Sequence, residues 1–238
     1  MIKLFTNVTL LIFDHFHKRK IVNFLKKSNI NSIDIFFDIG AHEGESIEFF
    51  SKYLQIKKIY SFEASLKNFK QLKKKYKNNS FLKLENIALS SKKSKKIFNQ
   101  CNESSSSTFS KINTESKYLK KKLKYLSVRK PDNFFKKITI NTDTLDSYLA
   151  KKKIFKIDLI KMDTEGHELE ILKGSKKNLK NIKTIVFEHH YDNMLKKNYT
   201  FSDINLFLKK NSFKKVFKIK MPFRKSFEYI YINKNNYF

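Results

Sequence analysis

Ile33-Asp-Ile-Phe-Phe-Asp-Ile-Gly-Ala-His-Glu-Gly44 is the stretch on which the reading of the fold turns. Residues 33–37 form a β-type apolar run, and residues 38–44 leave it through a glycine-flanked turn. Ile47, Phe49, Phe50 and Tyr53 then recur at helical spacing. The whole chain holds only four glycines, Gly40, Gly44, Gly166 and Gly174. In a composition so poor in glycine, each one is expected where a Cβ would clash. Two of them bracket this single strand-to-helix turn, the context in which open α/β sheets bind nucleotide-like ligands.

Working outward, the same alternation continues. A strand over residues 59–62 ends at Glu63, a Lys-rich helix covers 66–76, and a third strand covers 81–87. Later strands are expected at 157–162 and 184–187, with helices at 145–149, through Leu169, Ile171 and Leu172 to a stop at Gly174, and at 201–210 with Ser202 as N-cap. Residues 213–219 and 227–232, separated by Met221-Pro-Phe, form a closing hairpin. Strands alternating with helices of this length specify βαβ units. The expected fold is α/β: a Rossmann-like, mostly parallel seven-stranded sheet with a C-terminal antiparallel hairpin. Residues 1–30 form a helical segment and 31–238 the main domain, with an insertion at about 90–137 that contains the serine cluster 104–107 and the Lys-rich stretch 117–124.

With 40% hydrophobic residues and 24 Phe, the 238-residue chain can fill a core. Its formal charge of +29 is almost all lysine, because Arg19, Arg129 and Arg224 are the only arginines. Proteins that read phosphates and bases favour the arginine fork. The charge is therefore read as compositional drift of an AT-biased genome, and no specific nucleic acid is expected. Cys101 is the single cysteine, so neither an intrachain disulfide nor a cysteine zinc site can form, and a cytoplasmic location is expected. The apolar run 8–13 is too short to span a bilayer. The first helix is expected to pack on the domain, with weak membrane-surface contact as the alternative.

Glu43 and Glu45 in the first turn of the helix would repel a pyrophosphate yet suit a cationic ligand. That favours S-adenosylmethionine (SAM), with its sulfonium and ammonium, over a nicotinamide dinucleotide. Glu63 stands about 20 residues on, where an acid takes ribose hydroxyls. A second constellation, residues 157–174, delivers Asp163 to the same sheet edge and sets Glu165, Glu168 and Leu172 along a helix. For Glu165 and Glu168 the bland role is helix capping, and His167 is expected at the surface. Asp163, Glu188 and His189 end neighbouring strands and are the expected catalytic groups, one carboxylate orienting or deprotonating an acceptor hydroxyl. No metal is expected, because no ligand spacing demands one.

Phe37-Asp-Ile-Gly-Ala-His-Glu-Gly44, Ser61-Phe-Glu63, Asn86-Ile-Ala-Leu-Ser90, Thr144-Leu-Asp-Ser-Tyr-Leu149, the 160–174 stretch and Phe187-Glu-His189 together resemble the FkbM-type SAM-dependent methyltransferases. The resemblance covers about residues 33–190. It implies a class I methyltransferase fold, SAM as methyl donor, and O-methylation of sugars, polyketides or related acceptors. By position it assigns Asp38, Gly40, His42 and Glu63 to the cofactor, and Asn86 and Ala88 to the segment beside the adenine; Gly44, which starts the helix tightly, is expected in the same cofactor site. Ala64 stands where a proline is common, and His42 where Asn is common. The expected function is SAM-dependent O-methylation of a hydroxyl on a glycan precursor or small metabolite. RNA methylation, carried only by the charge, and a non-enzymatic basic scaffold or peripheral membrane protein are the alternatives.

Overall fold

The computed structural model describes residues 2–101, 106–125 and 134–236, and along the first helix it describes side chains from Phe13 onward. Helix α1 (Ile2–Lys27) precedes β1 (Ser32–Ile39), α2 (Glu45–Tyr53), β2 (Gln55–Phe62), α3 (Leu66–Lys75) and β3 (Leu82–Glu85). The insertion supplies β4 (Ala88–Leu89), β5 (Ser94–Cys101), β6 (Lys111–Ile112), α4 (Lys117–Tyr125) and β7 (Phe135–Asp143). Then come α5 (Leu145–Lys152), β8 (Ile157–Met162), α6 (Glu168–Lys173), β9 (Ile182–His190), β10 (Leu195–Lys196), α7 (Phe201–Lys210), β11 (Phe213–Lys220) and β12 (Ser226–Asn233).

The central sheet runs β11-β12-β9-β8-β1-β2-β3. Its core pairings are parallel, and β12 runs antiparallel to both β9 and β11. This is the expected seven-stranded sheet with its closing hairpin. The strands read as unbroken apolar runs because helices cover both faces. Phe36, Leu159, Val186 and Ile230 pack under α1 and α2. Their neighbours Phe37, Ile160, Phe187 and Tyr229 pack under α5, α6 and α7. Between β1 and β8 the strand order reverses, which leaves a crevice at the carboxyl ends of these two strands.

Several expectations are corrected here. The 201–210 helix is capped by Thr200, whose backbone N–H donates to Asp203 Oδ2 at 2.7 Å, and not by Ser202. Gly174 ends α6 in ordinary right-handed geometry. Its side chain is absent because a Cβ would lie 2.0 Å from the carbonyl oxygen of Ser90. The insertion is built on a β5–β7 antiparallel pair and a small core in which its Leu119, Leu123 and Phe134 pack with Met194 from the segment after β9. Of the serine cluster, 104 and 105 lie outside the described residues, whereas Ser106 and Ser107 are both engaged: Ser106 Oγ donates to Glu165 and Ser107 Oγ accepts from the backbone of Cys101. No described helix is long and apolar enough to cross a membrane.

Candidate active site at the sheet switch point

The turn after β1 is shaped by close backbone approach. Gly40 has φ +88°, and a Cβ there would sit 2.0 Å from the backbone oxygen of Asp163. The tight contact exists because Asp163 N–H donates to Ile39 O at 3.0 Å, while Gly40 N–H donates to Phe62 O at 2.9 Å. Strands β8, β1 and β2 are thus tied together at their carboxyl ends. His42 adopts φ +49°, a region that His and Asn tolerate better than most residues. Its backbone N–H donates to Glu63 Oε2 at 2.8 Å, and its Nδ1 lies 2.9 Å from Glu45 Oε1. Glu63 also accepts from Ser65 N–H at 2.8 Å. The acid at the end of β2 is therefore fixed against the turn at the end of β1. Burial pushes its carboxyl above the ordinary value, against the pull of those two N–H donors.

Two hollows meet at this turn. One is a narrow cavity floored by Gly40, Glu63 and Ala88 and walled by Ile87, Leu89, Phe98, Phe109 and Ile171. The other is a wider polar cleft on the α1 side, lined by His15, Lys18, Phe49, Lys161, Arg224 and Glu228. Gly40, His42 and Asp163 line both. Ala88 and Glu63 both line the narrow cavity. Gly44 lies behind the turn, N-capping α2 in left-handed geometry, with its carbonyl accepting from Tyr76 OH at 3.2 Å. Asn86 does not line the narrow cavity. Its amide donates to Glu63 O at 2.8 Å and so holds the chain that carries the acid. Asp38 lines neither hollow.

The family model for the FkbM methyltransferase domain matches residues 38–215. This chain belongs to that family. Two solved structures share the fold. The methyltransferase FkbM from Methylobacillus flagellatus KT superposes with a TM-score of 0.51 and 14% identity, over 84% of this chain and 44% of that one. The magnesium protoporphyrin IX methyltransferase from Synechocystis PCC 6803 gives 0.53 and 10%, over 94% and 81%. This chain therefore spans less than half the length of the Methylobacillus protein. No curated protein matches it. The class I methyltransferase fold implied by the sequence is the fold observed.

Strand register decides which acids of this FkbM-family chain reach the hollows. Asp38 pairs with Lys161 across β1 and β8, and Glu188 pairs with Glu228 across β9 and β12. All four share the α1 face, the face of Val186 and Ile230, and are buried there. His17 of α1 seals the row, its Nε2 lying 2.6 Å from Glu228 Oε2. Burial pushes Asp38 up to about 7 against the pull of Lys161. Burial and the charge of Asp163 push Glu188 up to about 7 as well. Asp163, one residue beyond β8, escapes this row, and its side chain remains about a third exposed, 3.1 Å from Lys161 Nζ. Lys161 overrides the effect of burial and holds the Asp163 carboxyl below the usual range.

His189 is a correction. A step of one residue along β9 turns it to the opposite face, among Tyr191, Tyr199 and Phe201, with Lys197 Nζ 3.4 Å from its Nε2. Burial and that ammonium push it down to about 3. The histidine beside Glu188 is His190, whose Nε2 lies 3.2 Å from Glu165 Oε2 and 3.3 Å from Glu188 Oε1, with Asp192 3.4 Å from Nδ1. Glu188 itself lines neither hollow. Glu165 is also misplaced by helical reasoning: α6 begins only at Glu168, and Glu165 sits before it at φ +50° with its carboxylate turned toward His190. Glu168, the first residue of α6, braces the turn before the helix and does not cap it: its Oε1 accepts from the backbone N–H of Thr164 and Gly166 at 3.2 and 3.1 Å, and the N-cap position is His167. His167 is buried, 3.0 Å from Ser90 Oγ and packed on Phe109 at 4.5 Å. Among the described residues no set of His, Cys, Asp and Glu comes together to hold a metal ion.

Burial opposes charge on His190, but Glu165, Asp192 and Glu188 outweigh it and push the imidazole up to about 10. An unfolded histidine releases its proton near 6.5. The stabilisation is therefore complete below about pH 6.5 and is lost as pH rises toward 10. His42, also raised, acts with the same sign. The melting temperature is expected to fall by roughly 5–10 °C between about pH 6.5 and 9.5, equivalent to about 2–3 kcal/mol. In His190→Gln that slope should flatten. A wild-type melting temperature that stays level over the window would exclude the buried imidazolium.

Proposed function

We propose that this chain is a SAM-dependent O-methyltransferase acting on a hydroxyl of a glycan precursor or small polar metabolite. The observation that carries the reading is the junction at Asp163: one carboxylate borders both an apolar-walled cavity and a polar cleft. The narrow cavity fits the cofactor. Its apolar walls suit an adenine, Glu63 retains lone pairs for ribose hydroxyls, and among the described residues no lysine or arginine lines it. The Synechocystis relative of the same fold was solved with bound SAM. Asp38, Gly44 and Asn86 serve the cofactor indirectly, by fixing the sheet edge, the helix start and the Glu63 segment.

When bound, SAM supplies a methyl group on a positively charged sulfur, a leaving group that needs no activation. What the chain must add is position and a proton acceptor. Asp163 does both: held ionised by Lys161, it accepts a hydrogen bond from the acceptor hydroxyl at the mouth of the cleft. As the oxygen gains its new bond to carbon its proton becomes far more acidic than any carboxylic acid, so even a carboxylate of low pKa takes it. Phe49 offers the cleft an apolar wall for a sugar face, while Lys18, Arg224 and Glu228 offer polar partners. Glu188, His190 and Glu165 lie behind Asp163 and set the field around it.

Calorimetry with SAM is expected to show micromolar binding, weakened roughly tenfold in Glu63→Gln, where one amide hydrogen faces an existing N–H donor. Folded wild-type protein that fails to bind SAM would defeat the reading. For the acceptor, methyl label transferred to a hydroxyl survives mild alkali as an ether. Label lost as methanol would reveal a carboxylate acceptor and overturn the O-ether assignment.

A further inference from the structure

Beside the polar cleft, the molecule exposes aromatic surface that its own core does not use. Phe13 and Phe16 on α1 are 43% and 61% exposed, and Phe223 on the β11–β12 loop is 70% exposed. Phe13 and Phe223 meet edge to face at 5.0 Å, joining helix and hairpin into one patch. Phe223 holds this position at φ +58°, a left-handed conformation that costs a bulky residue about 1 kcal/mol or more. Apart from its edge-to-face contact with Phe13, the Phe223 ring stays in solvent and gains no burial in the folded chain. Upstream of the patch, Leu10-Leu-Ile-Phe13 is apolar at four successive helical positions. Among the described side chains of α1, those buried against the domain are His17, Ile21, Val22 and Leu25.

The charge around the patch selects its partner. Over residues 13–27 and 218–226 there are nine Lys and Arg against one acid, Asp14, which is itself 3.6 Å from Arg224. Lys20, Lys220 and Lys225 are exposed. Apolar anchors ringed by lysine are the features by which a helix lies in the interface of an anionic bilayer. We propose that α1 and the β11–β12 loop dock this protein on an anionic lipid surface, with Phe13, Phe16 and Phe223 entering the headgroup boundary. Docked so, the cleft that carries Asp14, His15 and Arg224 opens beside the lipid. This proposal rests on the patch and stands apart from the methyl-transfer reading.

The chain has no tryptophan, so Phe223→Trp gives a single reporter. Its emission is expected to shift to the blue with vesicles of phosphatidylcholine plus phosphatidylglycerol and to stay put with phosphatidylcholine alone. In flotation with the same vesicles, Phe13→Ser/Phe223→Ser should lower partitioning roughly tenfold while retaining the wild-type melting temperature. Lys73→Glu/Lys74→Glu on α3, away from the patch, should leave most of it. Three outcomes would overturn the proposal. The first is no vesicle binding. The second is binding indifferent to the two Phe changes, which would be unspecific lysine attraction. The third is a blue shift that grows with protein concentration in the absence of lipid, which would mark self-association.

Discussion

Asp163→Asn is expected to lower single-turnover methyl transfer by about two to three orders of magnitude, the range for removing a positioned proton acceptor. The amide keeps the shape of the side chain and its contact with the cleft. Lys161 keeps the neighbouring acids Asp38 and Glu228, which also favour its charged form, so the buried ammonium is not orphaned. SAM affinity should change only a few-fold, because Glu63 and the Gly40 turn are untouched. The loss should therefore appear in the rate of the chemical step and not in cofactor binding. Glu188→Gln provides the contrast. Glu188 lines neither hollow and already shares a proton near neutrality, so its amide should cost far less activity. Turnover by Asp163→Asn within threefold of wild type would show that position alone suffices and that the junction carboxylate is not the acceptor of the proton.

Why Asp163 could be read from the sequence and its partner histidine could not is a matter of periodicity. A strand ending in a carboxylate at an α/β sheet edge announces itself, because the apolar run stops and the acid begins. Asp38 was in the same sense visible, yet its last step was not. One more residue, Ile39, completes β1, so the Asp38 side chain turns under α1 and away from the crevice. The choice between His189 and His190 depends on parity along β9. That strand is buried on both faces, so its sequence alternates in nothing that marks a face. Parity became legible only through the pairing of Glu188 with Glu228.

Around residues 163–168 the obstacle was different. The motif reads as helical from its carboxylate spacing, but left-handed backbone at Glu165 and Gly166 postpones the helix until Glu168. Nothing in a single sequence distinguishes a glutamate in that conformation from one on a helix. Thr108 contributes a decisive bond, its hydroxyl donating to the Glu165 carbonyl at 2.6 Å, and it comes from the insertion, 57 residues away along the chain. The glycines were the opposite case. Their scarcity was itself the signal, and a Cβ at any of the four would meet another atom at under 3.0 Å.

That scarcity leads to the second large effect. Gly40→Ala is expected to lower stability by about 3 kcal/mol, with a melting temperature roughly 6–12 °C below wild type, and to remove measurable SAM binding. Two costs add. At φ +88° a side chain is strained in any surroundings, and the new Cβ would meet the Asp163 carbonyl oxygen at 2.0 Å and its carbon at 2.9 Å. Backbone cannot rotate aside as a side chain can. Relief requires β1 and β8 to part at their carboxyl ends, which stretches the Asp163 to Ile39 hydrogen bond and shifts the junction carboxylate with it. Gly174→Ala separates stability from binding. Its Cβ would strike the Ser90 carbonyl equally closely, but its backbone is in the ordinary right-handed region and it borders neither hollow. It should melt early yet bind SAM with nearly wild-type affinity. If Gly40→Ala instead bound SAM normally and melted like wild type, the two strands would be able to part without consequence. The crevice at their ends would then not be the pre-shaped site on which the methyl-transfer reading depends.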